Sequence, residues 1–366
     1  MIRGVALLNC LVLLSIGAVG EVQGAFGPGD LIILTTASNT GTAASAVSLN
    51  SFSYNSLTGT FGTTPTTHAI NGLTLPGESD HDGLLHFSTD GSSLVFGGYQ
   101  AASGTPTVIA SAAPRAIGVV DSNWNLTTTT ISGYSGLGLR SVSATDKSHF
   151  WTGGDQGVTG GQYYIDTSGP VSQVLVTAND ARANRIVNGQ LWGFSSSNNG
   201  TTIGNGLPIS AASATAAMTS PFVKSDAVFL DLDNNGIPET AYSTDGKNLL
   251  GKWHFNGSTW ALTGQWTGTK SAINDINSLE VFLFDGKVEL LAATQLGQLF
   301  QLEDTNGIAN NFSAAFLANT APTPLLTMAG SSFRGMAISP VPEPATLTML
   351  VAAIPLVVWR LRRRAR

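Results

Sequence analysis

Short apolar runs recur along this chain, and polar turn residues break each one before it reaches helical length. Leu31-Ile32-Ile33-Leu34 reads as a strand. Val47 to Tyr54 alternates, with Val47, Leu49 and Phe52 inward, and a turn follows at Asn55-Ser56. Leu84 to Phe87 and Leu94 to Phe96 flank the turn Thr89-Asp90-Gly91, which is a hairpin pattern. Ile117 to Val120 and Leu126 to Ile131 flank Asp121-Ser122-Asn123 in the same way. Two-residue alternation between Gly, Asn, Asp and Ser clusters signals strands, so the pattern predicts an all-β chain.

The strands fall into repeats. One runs from Leu84 through Tyr99, the next from Arg140 through Trp151 to Ile165, and a third from Arg185 through Trp192. A fourth runs from Ala227 through Trp253 to Trp260, and a fifth covers Leu279 to Phe284, Val288 to Thr294 and Leu299 to Leu302. Arg334 to Ser339 begins one more. Starts spaced about 40 to 57 residues apart match four-stranded propeller blades and exclude short solenoid repeats. The last fragment is too short to be a blade. It is predicted to pair with Leu31 to Tyr54 and close a ring, which removes exposed sheet edges. The fold expectation is a single β-propeller of six blades, with seven as the other count; a pair of β-sandwiches is the competing architecture. The repeats are too divergent to name a propeller family.

Composition narrows the function. Setting aside Arg3, Glu21, Glu343 and the five tail arginines, the body keeps 11 basic and 21 acidic residues, a net charge of about −10. That argues against nucleic acid as a partner. Charged residues make up only 11% of the chain while Gly, Ser, Thr and Asn abound, which suits a secreted, turn-rich β protein.

Both ends carry targeting patterns. Residues 1–24 have one early charge, Arg3, an apolar stretch from Val5 to Val19, and small residues before Ala25. This is the layout of a secretory signal peptide. The only cysteine, Cys10, lies inside it, in a poor lipoprotein context, so the mature chain would have neither disulfides nor thiol chemistry. Segment 340–366 holds Val341-Pro342-Glu343-Pro344, an apolar run from Ala345 to Trp359, and Arg360, Arg362, Arg363, Arg364 and Arg366. As a helix the run spans roughly 22 Å. That is short for a bilayer core, but arginine stems reaching back along the helix make up the deficit. Pro355 is tolerable in such a helix, and the arginines belong on the cytoplasmic side.

The order of parts in the tail resembles the PEP-CTERM sorting signal of Gram-negative and related bacteria. The resemblance covers only the last 7% or so of the chain, counted from Val341. It implies an exosortase as processing partner, with Val341, Pro342, Glu343 and Pro344 as substrate residues, and transfer or release of the body (25–339) from the inner membrane to the cell surface.

Within the body the sharpest motif is Asp231-Leu232-Asp233-Asn234-Asn235-Gly236-Ile237-Pro238-Glu239. Oxygen side chains at alternate positions, a turn-permitting glycine and a returning carboxylate suit calcium, with Asp231, Asp233, Asn235 and Glu239 as ligands. The stretch is similar to short calcium loops between propeller strands and unlike an EF-hand, since its twelfth position is Tyr242. Its role would be structural; a solvated Asn-Gly turn is the bland reading. Asp80-His81-Asp82 with His86 reads as a polar loop entering a strand before it reads as a metal or acid–base site. His149 and His254 sit beside aromatics and read as satisfied edge residues. The tryptophans at 124, 151, 192, 253, 260 and 266 either stack on sugars or, as is commoner, fill gaps between blades. Arg140, Arg185 and Arg334 occupy similar strand-start positions, where pairing with blade carboxylates is favoured over anion binding in a channel.

No nucleophile elbow, phosphate loop, HExxH helix or Cys/His zinc spacing is present, and no catalytic residue is assigned. Formal glycosylation acceptors at Asn125, Asn199, Asn256 and Asn311 are weak signals in a bacterial chain. The sequence therefore points to an exported, non-enzymatic surface or matrix protein whose body binds or adheres in extracellular polysaccharide. The alternatives are a secreted glycan-acting hydrolase or lyase, and a module that only contacts other proteins.

Overall fold

A computed structural model describes residues 26–37, 41–77, 81–169, 171–175, 180–197, 199–233, 235–307 and 311–340. The signal segment 1–24, Asp80, the sorting residues Val341 to Pro344 and the arginine tail lie outside these residues. Among the described residues no helix is long and apolar enough to cross a membrane.

The strand-and-turn pattern gives antiparallel four-strand units. One joins His86–Phe87, Ser93–Tyr99, Arg115–Asp121 and Leu126–Ile131. The next joins Leu139–Ala144, His149–Gly154, Gln162–Asp166 and Ser172–Leu175. The Arg185 unit has Ala181–Val187, Gln190–Ser195, Asn199–Ile203 and Ala214–Thr219. The Asp226 unit has Asp226–Leu230, Thr240–Thr244, Leu249–Phe255 and Trp260–Thr267. The Glu280 unit has Ile276–Phe284, Lys287–Thr294, Gln298–Asp304 and Leu326–Thr327.

The closing unit draws on both termini. Ser331–Ile338 pairs with Leu31–Ala37 from Leu31↔Ile338 to Ala37↔Ser331, and Ala44–Phe52 and Thr66–Pro76 continue the sheet. A single pair, Thr74↔Tyr99, links it to the His86 unit. Inner strands of successive units are neighbours, and Ser331–Ile338 lies beside both His86–Phe87 and Ile276–Phe284. The ring is thus closed, the architecture of a β-propeller, and the predicted pairing of Arg334 to Ser339 with the first strands is present. Gly335 is required where the closing strand passes the His86 unit, because a Cβ there would collide with the Leu85 amide and the Gly83 carbonyl.

Each unit packs on two neighbours, so its strands are apolar on both faces. In the Asp226 unit, Ala227, Ala241 and Trp253 join the core shared with Trp192 and Phe194 of the Arg185 unit. The alternate positions Val228, Tyr242 and Leu250 join the core shared with Leu279, Leu290 and Phe300 of the Glu280 unit. Strand pleating fixes this division. It also revises one expectation: Val47 and Leu49 face one core while Phe52 faces another, so both sides of that strand are interior.

Candidate functional site

In a four-strand meander the first and third strands run the same way, so the turns that follow them emerge on one face of the ring. On that face the structure brings together an axial cavity, an acidic loop and an aromatic trough.

The axial cavity, about 200 Å³, is lined by His86, Thr89, Ser143, Arg185, Glu280 and Ile338 among others. Arg185 ties three successive units together: Nη2 donates to Asp226 Oδ2 at 2.9 Å and Nη1 to Glu280 Oε1 at 3.1 Å. Burial pushes the Glu280 carboxyl up to about 7, against the pull of Arg185. Burial lowers His86 to about 4, and the Arg185 charge adds to that. His86 is therefore neutral near pH 7 with its proton on Nδ1, which faces the Val142 carbonyl at 2.8 Å; Nε2 has no hydrogen-bond partner. Arg140 joins Asp155 at 2.5 Å and Asp180 at 2.6 Å, so both arginines pair with carboxylates as expected. Arg334 donates to Thr36 Oγ1 and to the carbonyls of Pro76 and Gly77.

The acidic loop follows Asp226–Leu230. Asp231 accepts the amides of Asn235 (3.1 Å) and Gly236 (2.6 Å), and Asp233 accepts the Asn235 amide at 3.1 Å. Asn235 spends its side chain inside the turn, donating to Asp233 and accepting from the Ile237 amide. Gly236, at φ +85°, permits the turn. The loop brings oxygens of Asp231, Asp233 and Glu239 within 4.8 Å of one another.

The aromatic trough follows the seam between the Arg185 and Asp226 units. Trp192, Phe229, Phe255 and Trp260 meet there, with ring centroids 5.0 Å apart for Trp192–Phe229, 5.4 Å for Phe229–Trp260 and 5.3 Å for Phe255–Trp260. An outer cavity of about 360 Å³ adds Thr202, Thr215, Ser258 and Thr259 to these rings, and an inner one of about 170 Å³ adds Val187, Asn188, Ile237 and Pro238. Ile186, the neighbour of Val187, lines the axial cavity, so one strand borders both that cavity and the inner part of the trough. Burying such a side chain fully stabilises a fold by about 1.5–3 kcal/mol. Phe229, Phe255 and Trp260 remain only half-buried, so part of that gain is left unrealised and the rings form an apolar patch at the surface.

The other singled-out residues serve the fold. Asp82 accepts the Tyr99 hydroxyl at 2.8 Å and lies 4.0 Å from Arg140, which supports the polar-loop reading; Asp80 is outside the described residues. His149 pairs with Asp146, and His254 Nδ1 meets the Glu239 carbonyl at 3.1 Å. Trp151, Trp253 and Trp266 are buried, while Trp124 stacks on His68 at 3.8 Å. Sequence reasoning missed Phe229, Phe255, Asp226 and Glu280 as site residues. Only the repeat register, which places Arg185 and Asp226 on successive inner strands, carries a signal for the latter pair.

No family model matches the chain, and no curated protein matches it. Among solved structures it is similar to a candidate 6-phosphogluconolactonase from Bacteroides uniformis (15% identity, 78% of this chain and 81% of that one, TM-score 0.46). It is also similar to the WD40 β-propeller domain of Doa1 (9%, 78% and 81%, 0.44) and to the β-propeller domain of Myceliophteria thermophila Cps50 (9%, 76% and 84%, 0.40). At such identities and TM-scores the likeness carries no statement about ligand, partner or reaction.

Proposed function

We propose that this chain is an exported six-bladed β-propeller that binds extracellular polysaccharide along the seam between its Arg185 and Asp226 blades. The observation that carries the reading is the trough of Trp192, Phe229, Phe255 and Trp260, rimmed by Thr202, Thr215, Ser258 and Thr259. Ring faces suit the apolar faces of pyranoses, and the rim hydroxyls suit sugar hydroxyls. The outer and inner cavities adjoin through Trp192, Phe255 and Trp260, and two adjoining cavities favour a polymer over a single sugar. The acidic body favours a neutral glycan over a polyanion.

Five four-strand units, and one sheet that joins Ser331–Ile338 to Leu31–Ala37, support the six-blade count. The segment 340–366 would place the body: inner-membrane retention through Ala345–Trp359 and the arginine tail, then exosortase cleavage near Pro342-Glu343-Pro344, leaving the body at the cell surface. Mass spectrometry of the mature C-terminus checks this part; persistence of the Arg360–Arg366 peptide on surface-located protein contradicts it.

Affinity electrophoresis of the full chain in gels containing neutral polysaccharides tests the binding. Retardation of the wild type but not of Trp260→Ala is expected, and equal mobility of both in every gel refutes the reading. One observation favours a second reading, a glycan-acting enzyme: Glu280, with its carboxyl near 7 in the axial cavity, has the acidity of a general acid. Release of reducing ends by wild type and not by Glu280→Gln would establish it.

A further inference from the structure

Glu239 is 8% exposed, and its Oε1 accepts the Leu232 amide at 2.7 Å. Its Oε2 is sealed from solvent and has no hydrogen-bond partner. Burying a carboxylate oxygen without a partner is costly, and the charge calls for a compensating one nearby. Among the described residues neither Glu239 nor its neighbours Asp231 and Asp233 has a basic partner within 4 Å. Yet the three offer oxygens within 4.8 Å of one another. No two of these oxygens are farther apart than about twice a metal–oxygen distance of roughly 2.4 Å, so one hard cation can touch all three. Each carboxylate oxygen of Asp231 and Asp233 accepts one hydrogen bond, from the Asn235 and Gly236 amides and the Asn235 side chain, which holds the pair in place and leaves each oxygen a second lone pair. An all-oxygen donor set without His or Cys selects calcium over zinc.

The same loop is a wall of the trough. Ile237 and Pro238 line its inner cavity with Phe229 and Trp260. The loop is pinned across the seam, where Asn188 Nδ2 donates to the Gly236 carbonyl at 2.5 Å. Asn188 and Gly189 form the two-residue turn of the Arg185 blade, both at positive φ. We propose that a calcium ion bound by Asp231, Asp233 and Glu239 fixes Ile237 and Pro238 against the aromatic rings, so that cation occupancy sets the affinity of the trough. The cation site stands on the loop alone; its coupling to ligand rests on the polysaccharide reading above.

Calorimetric titration of chelator-stripped full-length protein with calcium chloride tests the site. One saturable site is expected, weakened about tenfold or more in Glu239→Gln and in Asp233→Asn. Asp233 is exposed, so its variant folds as the wild type does. Absence of saturable heat in the wild type, or unchanged affinity in both variants, overturns the site. For the coupling, polysaccharide affinity is measured with calcium and with chelator: a fall on chelation is expected, and equal affinities overturn it. Calcium binding without polysaccharide binding under either condition removes the trough reading and the coupling while the cation site survives.

Discussion

Two seams flank the Asp226 blade, and they are built differently. Toward the Glu280 blade, Val228, Tyr242, Leu250 and Trp266 meet Leu279, Leu290, Phe300 and Phe312 in a fully buried core. A buried charge pair reinforces it: Lys252 Nζ donates to Asp304 Oδ2 at 2.9 Å and to the carbonyls of Asn306 and Gly307, and the Tyr242 hydroxyl donates to the same carboxylate at 2.8 Å. Toward the Arg185 blade, Ala227, Ala241 and Trp253 are buried, but at the turn-bearing face Phe229 and Trp260 stay half-buried around open space. Strands pleated alike thus make one seam that is filled and one that is left ajar. Ala227 and Ala241 face the Arg185 side, while the larger Val228 and Tyr242 face the filled seam.

The contrast can be broken most strongly on the closed side. Asp304→Ala leaves the Lys252 ammonium buried without its counter-charge, and a loss of about 3–5 kcal/mol in denaturant-induced unfolding is expected. On the open side Trp260→Ala should cost polysaccharide affinity about tenfold while unfolding changes by about 1 kcal/mol, since hot-spot truncation costs binding and a half-buried ring contributes less to the core. If the two variants lose stability equally, the seams are not distinct.

The axial cavity offers a finer test through pH. The folded Glu280 carboxyl sits near 7 against 4.5 unfolded, so the native state holds the extra proton. Its contribution to stability is full below 4.5 and is lost as pH rises through 7. Folded His86 sits near 4 against 6.5, so the unfolded state holds the extra proton, and stability is lost as pH falls from 6.5 toward 4. The two slopes oppose each other between 4.5 and 6.5. Glu280→Gln should therefore expose a stability that rises with pH across that window, and His86→Gln one that falls. Parallel melting curves for both variants would show that these groups do not titrate as their burial implies.

The sequence carried the ring more clearly than the site. Arg140, Arg185, Ala227, Leu279 and Arg334 marked inner strands because those strands are apolar on both faces, and the closure by Arg334 to Ser339 was readable from a fragment too short to stand alone. Outer strands such as Ala214–Thr219 and Ser172–Leu175 left little trace, since one side meets solvent and their residues are small or polar. The short helix Ala314–Ala318 likewise had no periodic signal over five residues. Asp231, Asp233 and Glu239 were legible because a turn joins them locally. The trough was not, because Trp192 and Trp260 stand 68 positions apart in sequence and only the seam joins them.

Hydroxyl-radical footprinting of the full chain, with and without a retarding polysaccharide, bears most directly on the open seam. Ligand should shield Trp260 and Phe255 from oxidation and leave Trp124, on the far His68 stack, unchanged. Shielding of Trp124 with Trp260 still oxidised at its free rate would place the ligand elsewhere and contradict the account.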